Sequence, residues 1–231
     1  MKIVVLTGAG ISAESGLSTF RDPKGVWAQY DPTKLATPEA FAADPALVHG
    51  FYNARRAQLR TVEPNAAHRA LARLEEAFGQ DFLLVTQNVD DLHERGGSRC
   101  VLHMHGELNR AWCRACDIRV EWREDLSTET VCPMCGTLGH LRPDIVWFGE
   151  MPYHMDEIMQ ALDGCDLFVA IGTSGAVYPA AGFVEIAARC GAETLEINLQ
   201  PSDGTYLFDD FRHGPATETV PAFVDELTGK A

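Results

Sequence analysis

The sequence predicts an α/β protein: a doubly wound, Rossmann-like parallel sheet with a small helical and zinc-ribbon module attached. Three observations lead there. Short, wholly apolar runs recur, Ile3-Val4-Val5-Leu6, Phe82-Leu83-Leu84-Val85 and Leu167-Phe168-Val169-Ala170-Ile171, as strands buried on both faces require. Each run ends in a Gly-rich or polar loop, and open sheets seat ligands at such strand ends. Between residues 107 and 143 the pattern breaks, and two C-x-x-C pairs appear.

The first strand, Lys2–Thr7, leads into Gly8-Ala9-Gly10-Ile11-Ser12-Ala13. This fits the G-x-G-x-x-G/A pattern that seats a dinucleotide pyrophosphate on a helix N-terminus. A ligand-free Gly turn matches it too. A hydride-transfer unit also needs an acidic residue after a second strand, about 20 residues on. Here Ser18–Trp27 reads as a loop, so a dinucleotide site without dehydrogenase chemistry is the natural reading.

Thr37-Pro38 and Asp44-Pro45 each open a helix, with a capping side chain followed by proline. In the second, Leu47 and Phe51 stack one turn apart, and Tyr52, Arg55 and Leu59 form a neighbouring stripe. Spacing alone makes Arg55 a solvated arginine on an amphipathic helix. Asn65 opens a helix with Leu71, Leu74 and Phe78 on its apolar side.

After the strand Phe82–Thr86 comes Gln87-Asn88-Val89-Asp90. These side chains can serve sugar hydroxyls or a carboxamide, or simply cap a helix. A short third strand over 100–106 contains His103 and His105; His105, beside a glycine, is placed as a catalytic base or a structural histidine. Ile145–Glu150 reads as β-like. A helix near Met155–Leu162, the strand Leu167–Ile171, the loop Gly172-Thr173-Ser174 and an Ala-rich helix over about 179–189 follow. Next comes a strand over Thr194–Leu199 that includes Asn198. A short strand near Glu218–Val220 and a helix over Pro221–Leu227 close the chain.

Cys113, Cys116, Cys132 and Cys135 form two C-x-x-C knuckles 15 residues apart. Four thiolates at this spacing close a tetrahedron around Zn²⁺ and leave no position for water, so the metal is structural. His140 is surplus to that shell. Cys165 and Cys190 sit in apolar or Ala-rich surroundings and read as inert. The odd total of seven cysteines argues against a disulfide framework.

The net charge of −14 argues against a duplex-binding surface. It suits a basic partner such as a lysine-bearing tail, or plain solubility. No apolar run approaches the length of a membrane helix. With the first strand at residue 2 there is no room for a leader, so a cytoplasmic protein is expected.

Taken together, these residues resemble the sirtuins, NAD-dependent protein-lysine deacylases. The motifs are GAGISAESG at 8–16, TFRD at 19–22, TQNVDDLHERGG at 86–97, HMHGE at 103–107, the four cysteines, VWFGE at 146–150, GTS at 172–174 and NLQPS at 198–202. Tyr52-Asn53-Ala54-Arg55 with HMHGE is similar to the class III branch and its bacterial CobB-type members. There the Tyr and Arg recognise an acyl carboxylate, as in succinyl-lysine, which reverses the solvated-arginine reading.

The resemblance implies one catalytic domain over 1–231. Its large part covers about 1–30, 62–106 and 146–231, and its small module about 31–61 and 107–145. It implies NAD as co-substrate and structural Zn²⁺. Gly8, Ala9, Gly10 and Ala13 would border the diphosphate, with Phe20 and Arg21 near the nicotinamide ribose. Gln87, Asn88, Val89 and Asp90 would line the ribose and nicotinamide pocket. Gly172, Thr173, Ser174, Asn198, Leu199, Gln200 and Ala216 would surround the adenosine. Val146, Trp147, Phe148 and Gly149 would pair with a substrate peptide as an added strand. His105 would be the general base, with Asn88 and Asp90 completing the catalytic set. Acylated-lysine proteins would be the partners of a monomer, with no nucleic acid and no membrane. The products would be nicotinamide, free lysine and O-acyl-ADP-ribose. Val89 stands where the family commonly has isoleucine, a conservative change. Two rivals remain: an NAD-consuming ADP-ribosyltransferase, and a non-catalytic NAD or ADP-ribose binding module.

Overall fold

The computed structural model describes residues 1–19 and 34–229; the predicted contacts Phe20 and Arg21 lie outside the described residues. Six strands form one sheet in the order β3-β2-β1-β7-β8-β9. They are β1 (Ile3–Thr7), β2 (Phe82–Thr86), β3 (Val101–His103), β7 (Leu167–Ile171), β8 (Glu193–Asn198) and β9 (Asp210–His213). Every pairing among them is parallel. The order reverses between β1 and β7, which makes that junction the topological switch point where such sheets open a crevice.

Two layers of helices cover the sheet. Alternate strand residues face opposite ways. Ile3 and Val5 join Val169, Ile171, Leu195 and Ile197 under α4 (Ala66–Phe78) and α8 (Ala216–Thr228). Val4 and Leu6 join Phe168 and Ala170 under α6 (Met155–Asp163) and α7 (Phe183–Arg189). Burial on both faces explains why these strands are unbroken apolar runs.

A second, antiparallel sheet, in the order β5-β4-β6, consists of β4 (Gly106–Cys113), β5 (Arg119–Glu121) and β6 (Leu141–Ile145). Beside it lie α2 (Pro38–Ala43) and α3 (Pro45–Leu59). Both helices start on the predicted caps: Thr37 Oγ1 accepts Ala40 N–H at 3.0 Å, and Asp44 Oδ1 accepts Leu47 N–H at 2.9 Å. The short helices α1 (Gly10–Ala13) and α5 (Leu92–Arg95) follow β1 and β2.

Three readings need correction. Glu218–Val220 is not a strand but part of α8, which carries Pro221 within it. The last strand is the polar edge strand β9, whose single outer position demands no apolar alternation. Val146 N–H still reaches across to His105 O, opposite it in the β4–β6 register, but residues 147–150 do not continue β6, because their amides turn elsewhere: Phe148 N–H to Ala36 O and Trp147 N–H to Glu150 Oε2, each 2.9 Å. Leu47 is exposed rather than stacked inward, while Phe51 is buried.

Candidate active site

At the switch point the loops after β1 and β7 touch. Gly8 N–H donates to Ile171 O and Gly10 N–H to Gly172 O, both at 2.9 Å. A Cβ on Gly10 would stand 2.7 Å from Gly172 Cα, and one on Gly172, where φ is +62°, would stand 2.5 Å from Ile11 N. Only glycine allows this approach. It brings bare backbone to the floor of a cavity of about 850 Å³ that runs to Asn198 and Ala216 at one end and to Tyr52 and Trp147 at the other. Every predicted site residue among the described residues, apart from the four cysteines, lines this cavity.

Asn88 crosses from β2 to the Gly loop. Its amide donates to Gly8 O and to Ser12 Oγ, both at 3.2 Å. Ser12 Oγ donates in turn to Asp90 Oδ2 at 3.2 Å. His68 completes the chain: its Nδ1 accepts Asn65 N–H, so Nε2 carries the proton it gives to Ser12 Oγ at 3.3 Å. Burial holds His68 neutral, at about 4, and pushes the Asp90 carboxyl up to about 6. A parallel chain lies beneath: His93 Nε2 to Thr7 Oγ1 at 2.9 Å, and Thr7 to Thr86 Oγ1 at 2.8 Å. Thr86 Oγ1 also accepts Asn88 N–H at 3.0 Å.

His105 sits where β3 gives way to β4. Gly106 makes the turn at φ +79°, and a Cβ there would come within 2.0 Å of Asp144 O. His105 Nδ1 lies 3.0 Å from Gln87 O. A carbonyl only accepts, so Nδ1 carries the proton and Nε2 keeps its lone pair. Burial lowers the His105 pKa, opposed by the Gln87 bond. His103 behaves oppositely. Both of its ring nitrogens face acceptors, Asn88 O at 3.1 Å and Glu94 Oε1 at 2.7 Å. Burial resists its charge, but the Glu94 carboxylate prevails and the pKa is raised.

At the far end, Tyr52 and Arg55 of α3 both face the cavity. Burial pushes the Tyr52 phenol up to about 12, against the pull of Arg55, and lowers the Arg55 pKa against Tyr52 and Asp90. The adjacent Arg56 is buried elsewhere, donating Nε to Leu108 O at 2.7 Å. Helical spacing did not separate the two arginines, since both lie within a turn of Tyr52.

The four cysteines stand apart from the cavity. Their sulfurs all lie within 4.8 Å of one another, with Cys113–Cys135 and Cys116–Cys132 at 3.8 Å. A tetrahedron with Zn–S of about 2.3 Å has sulfurs ~3.8 Å apart, so the set fits zinc. His140 is not among these ligands.

The sequence reading missed Ser12, His68, His93 and His103. A signal existed for His68. It holds the third position after the cap Asn65, where a capping box carries a reciprocating side chain.

The chain matches the Sir2 family profile over residues 8–179. It belongs to the Sir2 family. A Caulobacter vibrioides protein named NAD-dependent protein deacylase is 56% identical over 233 residues, spanning 100% of this chain and 98% of that one. One of the same name from Escherichia coli K12 is 53% identical over 98% of this chain and 82% of its own length. A Sir2 homologue solved with NAD superposes with a TM-score of 0.90 at 40% identity, covering 99% of this chain and 90% of that one. A Sir2 solved with a deacetylated p53 peptide and 3′-O-acetyl-ADP-ribose gives 0.83 at 30% identity, over 99% and 94%. Among the described residues of this Sir2 protein, no helix is long and apolar enough to cross a membrane.

Proposed function

We infer that this Sir2 chain is an NAD-dependent protein-lysine deacylase that removes acetyl and succinyl groups. One observation carries the reading. A neutral histidine with an open Nε2 shares a single cavity with a glycine-floored dinucleotide crevice and a Tyr–Arg pair. NAD supplies an activated ribose carbon: the acyl oxygen bonds to it as nicotinamide leaves, and water then releases the lysine amine, so that the acyl group stays on ADP-ribose.

The residues divide the work. The Gly8–Gly10 and Gly172–Ser174 loops offer backbone to the diphosphate and adenosine, with Asn198 beyond them. Asn88 and Asp90, braced by Ser12, meet the ribose and nicotinamide. His105 Nε2 takes a proton from a ribose hydroxyl; burial keeps it neutral at working pH for that task. Main-chain groups of 146–149, just past the end of β6, hold the substrate peptide as an added strand. Tyr52 and Arg55 meet the acyl carboxylate, the guanidinium as a two-toothed donor. Zinc holds the β4–β6 segment. The proposed setting is a cytoplasmic monomer acting on acylated proteins.

The test is mass spectrometry of one peptide in succinyl-lysine and acetyl-lysine forms, each incubated with enzyme and NAD. The expected products are free lysine, nicotinamide and O-acyl-ADP-ribose from both. Reaction of the acetyl form alone would remove the carboxylate reading. ADP-ribose attached to protein would favour the transferase rival, and intact NAD the binding module.

A further inference from the structure

The indole of Trp147 makes a contact that peptide pairing does not need. Its Nε1–H donates to Tyr52 Oη at 2.9 Å, between two buried side chains 95 residues apart. An indole N–H is a donor only, so this bond has one polarity. Tyr52 must accept, and what it has left to present to the cavity is its own proton. A phenol oxygen that accepts one bond is also a stronger donor in the next.

The indole is held hard. The Arg142 guanidinium lies 3.4 Å from its ring centroid, and Phe41 packs at 5.3 Å. Arg142 is pinned in turn by Glu150, with Nη1 to Oε1 at 2.7 Å and Nη2 to Oε2 at 2.9 Å. Glu150 Oε2 also accepts Trp147 N–H at 2.9 Å. One carboxylate thereby fixes both the main chain and the ring plane of Trp147.

We propose that Trp147 is a specificity-setting positioning residue, whose indole N–H locks Tyr52 as a proton donor and so selects acyl chains that end in an acceptor. The proposal rests on the carboxylate reading of Tyr52 and Arg55. It adds that the discrimination is built one residue behind the pair, on an Arg142–Glu150 platform.

The test is Trp147→Phe, which keeps an aromatic ring and deletes the N–H. The readout is the ratio of kcat/KM on a succinyl-lysine peptide to kcat/KM on the acetyl form, in which any common loss cancels. The ratio should fall about fivefold, the worth of one ordinary hydrogen bond. In a Tyr52→Phe background the same substitution should leave the ratio where Tyr52→Phe put it. Glu150→Gln, which slackens the platform, should lower the ratio by a smaller factor and serves if Trp147→Phe does not fold. If Tyr52→Phe lowers the ratio but neither Trp147→Phe nor Glu150→Gln does, the positioning role is overturned. An equal fall from Trp147→Phe with and without the Tyr52 hydroxyl overturns it as well. If Tyr52→Phe and Arg55→Met themselves leave the ratio unmoved, the carboxylate reading is what has failed.

Discussion

The two sheets of this protein are held together by different physics. The six-stranded sheet buries apolar side chains on both faces, in two clusters that include Leu71, Leu74, Leu84, Phe168, Phe183 and Phe223. The three-stranded sheet is divided: Leu108 and Ile145 join Phe41, Val48 and Phe51 of the small-module helices, whereas its far end has only the small cluster Ala111, Cys113, Leu126, Cys132 and Leu141, two of whose members are proposed metal ligands. Burial at roughly 25 cal/mol per Å² of apolar surface stabilises the first. The cysteine end of the second has little such surface, and a metal bound by the four thiolates would supply what burial there does not. The difference teaches why His105 stands where it does. It lies on the seam, with β3 of one sheet behind it and β4 of the other ahead, so both must be in order to aim its ring.

Removing one ligand breaks the comparison most sharply. Cys132→Ser is expected to release zinc and unfold the β4–β6 segment, forfeiting metal-binding free energy on the order of 10 kcal/mol. Metal analysis with amide hydrogen exchange checks this. Protection should vanish from 107–145 and persist in β1, β2 and β7; a stable, metal-free, active variant would contradict it.

The seam itself comes next. His105→Ala is expected to lower turnover by about 10²–10⁴-fold, the usual worth of a general base, while NAD still binds by calorimetry. The wild-type kcat/KM should hold its acid limb below pH ~6.5, because burial shifts His105 downward from its ordinary value. Normal turnover in the alanine variant would remove the base assignment.

Acid supplies the smallest and most diagnostic test. Burial holds His68 at about 4 and His93 well below its ordinary value, both behind the six-stranded sheet. The unfolded chain binds these protons near pH ~6.5 while the fold refuses them. The contribution is therefore fully present above that pH and is lost as pH falls toward 4, at about 1.4 kcal/mol per pH unit for each group. Asp90, raised to about 6, takes its proton early in the fold and offsets part of the loss. Denaturant midpoints should drop between pH 7 and pH 5, and His68→Gln should flatten that slope. A midpoint insensitive to pH would remove the buried neutral histidines from the account.

Much of this was legible in the chain. The strands over 82–86 and 167–171 fall where apolar runs end at loops, because a strand buried on both faces shows itself as an unbroken apolar run of strand length bounded by turn residues. The cysteine spacing announced a metal site because four thiolates admit few other uses. Polar strands were harder. Gly106–Cys113 alternates in burial, but an irregularity between Glu107 and Ala111 breaks the period, and Asp210–His213 is a largely exposed edge strand that requires no alternation.

By itself, then, the sequence determined the parallel sheet, the Gly-rich loops at its strand ends, the Cys₄ set and, through its motifs, the Sir2 family. Only the tertiary structure decided that Arg56 turns away to Leu108 O, which tautomers His68 and His105 hold, and that Trp147 donates to Tyr52. The physical reason is range. Strand burial and thiolate spacing are properties of short segments, written in neighbouring residues. The polarity of a hydrogen bond between side chains 95 positions apart exists only once packing has brought the two together and excluded the water that would otherwise serve both.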